Sequence, residues 1–241
     1  MNSYIDIHSH ILYGIDDGSR SLEESINIIK NMKNIGFNDI VITPHYIEGT
    51  SYNCNNFGKK ILFNYLKEKV SEAGIDINLY LGNEIFVFDK IKEFLENGEI
   101  FALNDSKYLL IETPMQQEVA NLDEYLFKLI SHGYKVILAH PERYSYFQDD
   151  PSKIKKYIDM GVLFQSNYAS ITGRYGNHAM KTLKYFLKNN YITFLASDVH
   201  HENSTFYDDF AKMKKEIIHI VGNETFEKLS YLNAKNIIDR L

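Results

Sequence analysis

The chain has 241 residues, of which 44% are hydrophobic, so it is long enough to bury a sizeable core within one domain. Its formal net charge of −6 gives no electrostatic reason to expect nucleic acid or an anionic membrane as a partner. No run of about 18 apolar residues and no secretion signal is present, so we expect a cytoplasmic protein without membrane insertion. The single cysteine, Cys54, excludes an internal disulfide and fits a reducing compartment.

Strand-like and helix-like segments alternate along the chain. Apolar residues two apart predict the first strand at 4–8. Ser21 and Glu24 then form a capping-box pattern, which predicts a helix that begins after Ser21 and ends at Gly36. The same reasoning predicts further strands at 40–42, 77–81, 108–111, 136–139, 162–164 and 192–196, and helices at 60–73, 89–96, 122–131, 153–160 and 177–188, with one or two helices at the end of the chain.

Strands that alternate with helices of this length indicate parallel pairing through crossover helices. About seven such strands predict an α/β barrel of the triosephosphate-isomerase type, short of the usual eight strands, as a single domain over residues 1–241. A doubly wound open sheet is the alternative fold.

Nearly every predicted strand ends at a residue that binds metals well. In such a barrel the carboxyl ends of the strands carry the active site. The candidate residues at these ends, with one aspartate from the loop after the first strand, are His8, His10, Asp17, His45, Glu84, Glu112, His140, Asp198 and His200. This recurrence favours a metal site over coincidence.

The spacing within two of these strands has a mechanical reason. His8 and His10 are two residues apart, so in extended chain both side chains face the same way, and Asp198 and His200 repeat the arrangement. Imidazole nitrogens mixed with carboxylate oxygens suit zinc, manganese or iron. Nine ligands are too many for one ion, so we expect two or three divalent ions, two of which the Glu84 carboxylate would bridge.

Simpler interpretations exist for single members of this set. A lone histidine at a strand end is more often a hydrogen-bonded core residue, and Glu84 stands in a loop-like context. Asp16-Asp17-Gly18 alone would indicate a turn, and only one of its aspartates need be a ligand. The remaining histidines fit helix ends or the surface; these are His132, His178, His201 and His219.

Arg143 adds a cation next to the proposed metals. A guanidinium binds phosphate through two parallel hydrogen bonds, which favours a phosphate contact. The alternative is an ion pair with Glu142 or Asp149.

The motifs together resemble those of the polymerase-and-histidinol-phosphatase (PHP) superfamily. More narrowly, the chain is similar to the bacterial tyrosine-protein phosphatases of capsule and exopolysaccharide gene clusters, the CpsB/YwqE type. The resemblance covers nearly the whole chain and rests on Asp6-Ile7-His8-Ser9-His10-Ile11, Asp16-Asp17-Gly18, Thr43-Pro44-His45, Gly82-Asn83-Glu84-Ile85, Leu110-Ile111-Glu112, Ala139-His140-Pro141-Glu142-Arg143-Tyr144 and Ala196-Ser197-Asp198-Val199-His200.

The resemblance implies a distorted seven-stranded barrel with three ions, often manganese, while iron and zinc stay open. When the family's ligand residues are carried over to the matching positions, they form three sets. The first ion would be held by His8, His10, Glu84 and Asp198, the second by Glu84, Glu112 and His140, and the third by Asp17, His45 and His200. Arg143 matches a phosphate-binding arginine, and with Asp17, His45 and His200 it makes up the expected catalytic set.

The implied substrate is phosphotyrosine, typically on the tyrosine-rich tail of an autophosphorylating bacterial kinase that governs polysaccharide export. The family usually has a second phosphate-binding arginine soon after the last histidine of the motif. This chain has none between His201 and Tyr207, and Arg174 is a candidate for a spatial substitute.

We expect direct hydrolysis by a metal-activated hydroxide, because metal binding lowers the pKa of water from about 15.7 toward roughly 7. A cysteine phosphatase mechanism is excluded, since it requires an arginine six positions after the nucleophile and Cys54 is followed there by Lys60. A histidinol-phosphate or other small phosphomonoester phosphatase remains an alternative. Less favoured are a deaminase or other amidohydrolase and a non-catalytic module that carries metals.

Overall fold

The computed structural model describes residues 3–240 of the chain, and the strands found there pair in parallel throughout. The strands are β1 Tyr4–Asp6, β2 Phe37–Ile42, β3 His45–Tyr46, β4 Asn78–Leu81, β5 Glu84–Phe86, β6 Tyr108–Glu112, β7 Lys135–Ala139, β8 Leu163–Asn167 and β9 Phe194–Ala196. The helices are α1 Leu22–Asn34, α2 Asn56–Glu72, α3 Ile91–Glu96, α4 Leu122–Ser131, α5 Ser145–Asp149, α6 Ile154–Asp159, α7 Gly176–Lys188, α8 Phe206–Val221, α9 Asn223–Glu227 and α10 Asn233–Ile238.

Two of the seven predicted strands are interrupted rather than continuous. β2 pairs with β4 up to Ile42 and Leu81, and the same two chain segments pair again as β3 and β5 at His45 and Glu84. Pro44 has no backbone N–H for the ladder, which accounts for the break between β2 and β3. The segments β2–β3 and β4–β5 therefore count as two strands, and the total is seven.

The strands lie in the order of the chain. The two sheets have the orders β1-β2-β4 and β3-β5-β6-β7-β8-β9, without the reversal that a doubly wound sheet requires. The chain after β1 meets the chain after β9 in a parallel bridge between Ser9 and Val199. The predicted α/β fold with seven parallel strands in barrel order is thus confirmed, and the open-sheet alternative is not supported.

The strands β6 and β7 are apolar on both faces, as expected where one face points inward and the other meets helices. In β7, Ile137 packs with an inner cluster that includes Ile5 and Phe194, whereas Leu138 packs with the larger cluster that includes the helices. α10 contributes Ala234 and Ile237 to the inner cluster. No helix in residues 3–240 is long and apolar enough to span a membrane.

Several helix and strand boundaries in the structure differ from the predicted ones. The first strand ends at Asp6 instead of residue 8, and the strand predicted at 162–164 continues to Asn167. The helix predicted at 60–73 begins at Asn56, because the Asn55 Oδ1 atom caps it by accepting the N–H of Gly58 at 2.9 Å. The predicted cap of α1 is confirmed, since Ser21 Oγ accepts the N–H of Glu24 at 3.2 Å. The short helix α5 was not predicted, and the end of the chain has α8, α9 and α10 in place of one or two helices.

Candidate metal centre

All nine residues predicted as metal ligands lie at one end of the barrel, where the strands finish. Their ligand atoms form overlapping groups, within each of which the atoms lie within 4.8 Å of one another. These groups are His8, His10 and Asp198; His8, Glu84 and His140; His45, Glu84 and Glu112; and His10, Asp17, His45 and His200.

The deepest group surrounds the Nε2 atoms of His8 and His10, which are 3.2 Å apart. Each Nε2 atom is 3.2 Å from Glu84 Oε2 and 3.5 Å from Asp198 Oδ1. All four side chains are buried. Two imidazoles and two carboxylates thus face a common point, as the spacing of the two motifs predicts.

Glu84 also faces a second group with its other carboxylate oxygen. Glu84 Oε1 is 2.9 Å from His140 Nε2, which is 3.7 Å from Glu112 Oε1. His45 Nδ1 lies 3.0 Å from Glu84 Oε2 and 3.7 Å from Glu112 Oε2. The two oxygens of Glu84 therefore serve two groups, which is the arrangement of a bridging carboxylate.

The third group is the most open. Asp17 Oδ1 lies 3.5 Å from His45 Nε2 and 3.6 Å from His200 Nε2, and the Asp17 side chain is about half exposed. His200 Nδ1 is 3.0 Å from the carbonyl oxygen of Asp198, which directs its Nε2 atom toward the group. This side of the centre is accessible to a substrate.

Residues behind the ligands hold them in place, and the sequence analysis did not identify these residues. Asp16 Oδ2 is 2.9 Å from His10 Nδ1 and accepts the backbone N–H of His45 at 3.0 Å, so Asp16 orients ligands while Asp17 faces the group. Gln165 Oε1 is 2.8 Å from His8 Nδ1. Through its Nε2 atom Gln165 donates to Asn167.

Asn167 completes a chain of contacts from His8 to Asp198, because its Nδ2 atom donates to Asp198 Oδ2 at 2.7 Å. Gln165 and Asn167 lie on β8, the strand for which the sequence predicted no ligand. An amide at a strand end carries no metal-binding signal of its own, and only its position beside a ligand identifies its role.

Local backbone geometry also depends on particular residues. Asp198 has a φ of 52°, and the backbone beside it is held by Asp6, whose Oδ1 atom accepts the N–H of Ser197 at 2.9 Å. Gly18 packs directly against His10, since a Cβ atom at position 18 would lie 2.1 Å from the His10 carbonyl oxygen. The glycine of the Asp-Asp-Gly motif is therefore required by a close approach.

The buried charges depend strongly on one another. Burial opposes ionisation of Glu84, but the imidazoles of His8 and His45 bring the pKa of its carboxyl well below the ordinary value. Burial and then the charge of Glu84 raise the pKa of Glu112 to about 8. Burial and the charge of Arg143 lower the pKa of His140 to about 4, which keeps that imidazole neutral. Burial and then the charges of Glu84 and Asp198 set the pKa of His8, which is raised to about 9. Neutral imidazole and ionised carboxylate are the forms that bind metals, so an ion that enters the centre would displace the protons that His8 and Glu112 hold without it.

The donor set fits divalent metal ions. Among the described residues, Glu84 and Glu112 pair with histidines of the ligand set and with no lysine or arginine, so a divalent ion bound among them would replace the imidazolium charges. The buried Nδ1 atom of His45 makes no hydrogen bond within the described chain although it faces Glu84. Nitrogen and oxygen atoms without sulfur suit manganese, iron or zinc.

Arg143 lies beside the centre, on the turn that follows β7. Its NH1 atom donates to Asp198 Oδ2 at 2.8 Å, and its guanidinium lies 4.4 Å from the centre of the Tyr175 ring. The predicted alternatives, ion pairs with Glu142 or Asp149, do not form; Glu142 is buried and accepts hydrogen bonds from Asn167 and Ser170. The Arg143 side chain keeps 26% of its surface exposed, so part of the guanidinium is free to meet a ligand.

A cleft of about 480 Å³ opens next to Arg143. Its lining includes Asp17, Asp198 and His200 of the ligand set and also Arg174. Arg174 donates from NH1 to Thr205 Oγ1 at 2.6 Å. His201, which the sequence analysis placed on the surface, also lines this cleft and is paired with Glu24 at 3.1 Å. Arg143 and Arg174 therefore approach the same cleft from different elements.

The fold and the donor groups define an α/β protein of parallel strands with a candidate multinuclear metal centre. A family model described as capsular polysaccharide synthesis, CpsB/CapC, matches residues 4–239. The chain belongs to this family. Tyrosine-protein phosphatase CpsB of Streptococcus agalactiae is 30% identical to it, over 97% of this chain and 98% of the relative.

Two further comparisons agree with this assignment. Tyrosine-protein phosphatase YwqE of Bacillus subtilis is 26% identical over 96% of this chain and 89% of the relative. A solved structure from a study of YwqE and of CpsB from Streptococcus pneumoniae, described as unique metal-dependent tyrosine phosphatases, has a TM-score of 0.88 at 26% identity and covers 97% of this chain and 92% of its own.

Proposed function

We propose that this protein is a metal-dependent protein-tyrosine phosphatase that hydrolyses phosphotyrosine. The observation that carries the proposal is the position of Arg143, which contacts Asp198 of the ligand set and also borders an open cleft. A phosphate group that reaches the metal centre through this cleft meets a guanidinium at the same point. The names of the relatives and the intact set of ligand residues support the same activity.

The three ions would be held as the sequence predicts: by His8, His10, Glu84 and Asp198; by Glu84, Glu112 and His140; and by Asp17, His45 and His200. Manganese is the proposed metal, with iron or zinc as alternatives, because the donors are nitrogen and oxygen only. When bound, such ions polarise the phosphoryl oxygens and make a hydroxide available near neutral pH.

The residues of the chain have separate tasks in this proposal. Arg143 binds the phosphoryl oxygens, and Arg174, which lines the same cleft, supplies the second guanidinium. His200 keeps its proton on Nδ1, where the Asp198 carbonyl oxygen accepts it, so Nε2 acts as a ligand atom and not as an acid. The phenolate that leaves has a conjugate acid with a pKa of about 10 and needs little protonation.

We further propose that the substrate is an autophosphorylating bacterial tyrosine kinase that controls capsular or exopolysaccharide synthesis, and that the enzyme acts in the cytoplasm. The description of the family supports the link to capsule synthesis. Histidinol-phosphate phosphatase is the second candidate. A solved enzyme of that type from Lactococcus lactis has a TM-score of 0.58 at 13% identity, which is a likeness of fold alone.

The experiment is an assay of the chain reconstituted with Mn²⁺ on a phosphotyrosyl peptide and on histidinol phosphate. We expect hydrolysis of the peptide, loss with a chelator, and at least a hundredfold lower kcat in His10→Ala. His132→Ala is the matched control, because His132 lies at the exposed end of α4. Alkylation of Cys54 should leave the activity intact. Preferred turnover of histidinol phosphate would support the second candidate, and inertness toward both would indicate a non-catalytic module.

A further inference from the structure

A second groove lies between α7 and α8, away from the metal centre. It has a volume of about 850 Å³, and its lining includes Lys184 and Lys188 of α7 with Lys212, Lys215, Glu216 and His219 of α8. Lys184 and Lys188 are four residues apart, and Lys212 and Lys215 are three apart, so each pair lies on one face of its helix. The two basic faces border the same groove.

The charge of this groove is not compensated within the described chain. None of the four lysines has a carboxylate within ion-pair distance in residues 3–240, whereas other lysines, such as Lys69 and Lys92, form ion pairs with glutamates on their own helices. Glu216 is the single acidic residue of the lining. In a chain with a net charge of −6, this local excess of positive charge selects an anionic partner.

The two helices that form the groove begin at the catalytic cleft. Tyr175, directly before α7, and Phe206, the first residue of α8, both line the cleft. At about 1.5 Å per residue, the four lysines lie roughly 9–20 Å along the helices from that point. An extended peptide covers this distance in about three to six residues, at about 3.3 Å each.

The shape of the groove favours a peptide over a membrane. An open groove between two helices, with Ile218 and Ile220 in its lining, accepts a chain that combines acidic and apolar side chains. A planar anionic bilayer would contact the rims alone, and the net negative charge of the rest of the molecule would repel it.

We infer that the groove between α7 and α8 is a docking site for an acidic segment of the phosphoprotein substrate, about three to six residues from the phosphotyrosine. This inference rests on the proposed function, and it adds a sequence preference to the activity. The residues concerned do not contact the metal ligands, so their role is in KM and not in kcat.

The test uses two synthetic phosphotyrosyl peptides of otherwise identical sequence. One carries four glutamates about three to six residues from the phosphotyrosine, and the other carries four glutamines at the same positions. We expect the unaltered, metal-loaded enzyme to have a KM about tenfold lower for the glutamate peptide at low salt, with equal kcat. Replacement of Lys184, Lys188, Lys212 and Lys215 by glutamine should remove the difference. The matched control replaces four exposed lysines outside the groove by glutamine and should keep the difference in KM between the two peptides. These control positions are Lys30, Lys90, Lys107 and Lys155.

Two further measurements separate the inference from the proposed function. Turnover of p-nitrophenyl phosphate reports on the metal centre alone and should be the same in all variants. Fluorescence anisotropy with the unphosphorylated glutamate peptide measures docking without catalysis, and we expect binding that is lost in the groove variant. Equal KM values for both peptides, no anisotropy change, or binding of phosphatidylglycerol vesicles in place of the peptide would overturn the inference even if the enzyme is an active phosphatase.

Discussion

Individual amide side chains control the orientation of the ligands in this centre. Gln165 Oε1 accepts the Nδ1 proton of His8, so the His8 atom that would bind an ion is Nε2, which faces Glu84 and Asp198. Asn167 then links Gln165 to Asp198. A contact to the far nitrogen of a ligating imidazole fixes both its tautomer and its ring orientation.

We therefore expect Gln165→Leu to weaken Mn²⁺ binding by about 10–100-fold, because His8 loses the acceptor that orients it. Isothermal titration calorimetry with Mn²⁺ measures the change, and the circular dichroism spectrum should stay that of the folded chain. Gln148→Leu is the matched control, since Gln148 bonds to the Glu142 carbonyl oxygen and touches no ligand. Unchanged affinity in Gln165→Leu would show that His8 is oriented by other contacts.

The residues of the centre were predictable to different degrees. His10 and Asp198 stand at strand ends in distinctive pairs, and the sequence identified them. Asp6, Asp16 and Gln165 act through another residue, and their importance depends on which strands become neighbours. Arg143 was identified, but its hydrogen bond to Asp198, which lies 55 positions away, was not.

At the level of elements, α2 buries a lysine behind the centre. The Lys59 side chain is fully buried, and its Nζ atom donates to Asn83 Oδ1 at 2.6 Å, next to Glu84. The Phe101 ring lies 5.1 Å away. Burial lowers the pKa of Lys59 to about 7, far below its ordinary value. α2 thus supports the segment that carries Glu84 at the cost of a desolvated ammonium group.

This burial predicts a pH dependence of stability. Between pH 7 and 10.5 the unfolded chain holds the Lys59 proton more tightly than the folded chain, so the free energy of unfolding rises with pH. The slope from this residue approaches about 1.4 kcal/mol per pH unit. Urea unfolding at pH 7 and pH 9 should show this contribution as the difference between the unaltered chain and Lys59→Met, because the raised pKa values of His8 and Glu112 act in the opposite direction in both chains.

Lys60→Met provides the control for that series, because Lys60 is the exposed neighbour on the same helix. The free energy of unfolding of Lys60→Met should change with pH in parallel with that of the unaltered chain. If Lys59→Met also ran parallel, the Lys59 ammonium group would be solvated in the folded state.

Elements differ in how far their sequence determines them. α4 was predicted at its observed bounds, since its apolar periodicity is strong and Gly133 follows it. The two-residue strand β3 was missed, because its pairing with β5 arises from the neighbouring chain and not from a local pattern. The start of α2 depends on the cap at Asn55, within a run of polar residues that indicates a loop.

For the whole molecule, the centre connects strands from all parts of the chain. The alternation of strands and helices was enough to predict the α/β class and the number of strands. The sequence could not specify the interruptions in two strands or how β1 meets β9, since both depend on contacts between distant segments. That residues 1–241 form one domain stays a prediction.

We expect the chain to unfold thermally in one cooperative transition. A bound metal ion should raise the midpoint temperature, Tm, of this transition. An ion at 100 times its Kd stabilises the folded state by about 2.7 kcal/mol, which corresponds to roughly 5–10 °C in Tm for a domain of this size. Differential scanning calorimetry with Mn²⁺ and with a chelator measures the shift. The His10→Ala variant should show a smaller shift in Tm on addition of Mn²⁺. Two separate transitions would contradict the single domain, and a Tm insensitive to the chelator would contradict the metal centre.

The meeting of Ser9 with Val199 has a consequence for biosynthesis. His8 and His10 leave the ribosome early, but their partner Asp198 is 190 and 188 positions later. The coordination sphere of an ion between these two histidines therefore stays incomplete until most of the polypeptide has been synthesised. We therefore expect metal uptake late in synthesis or after it, and a truncated product would expose these histidines without the carboxylate that completes their group.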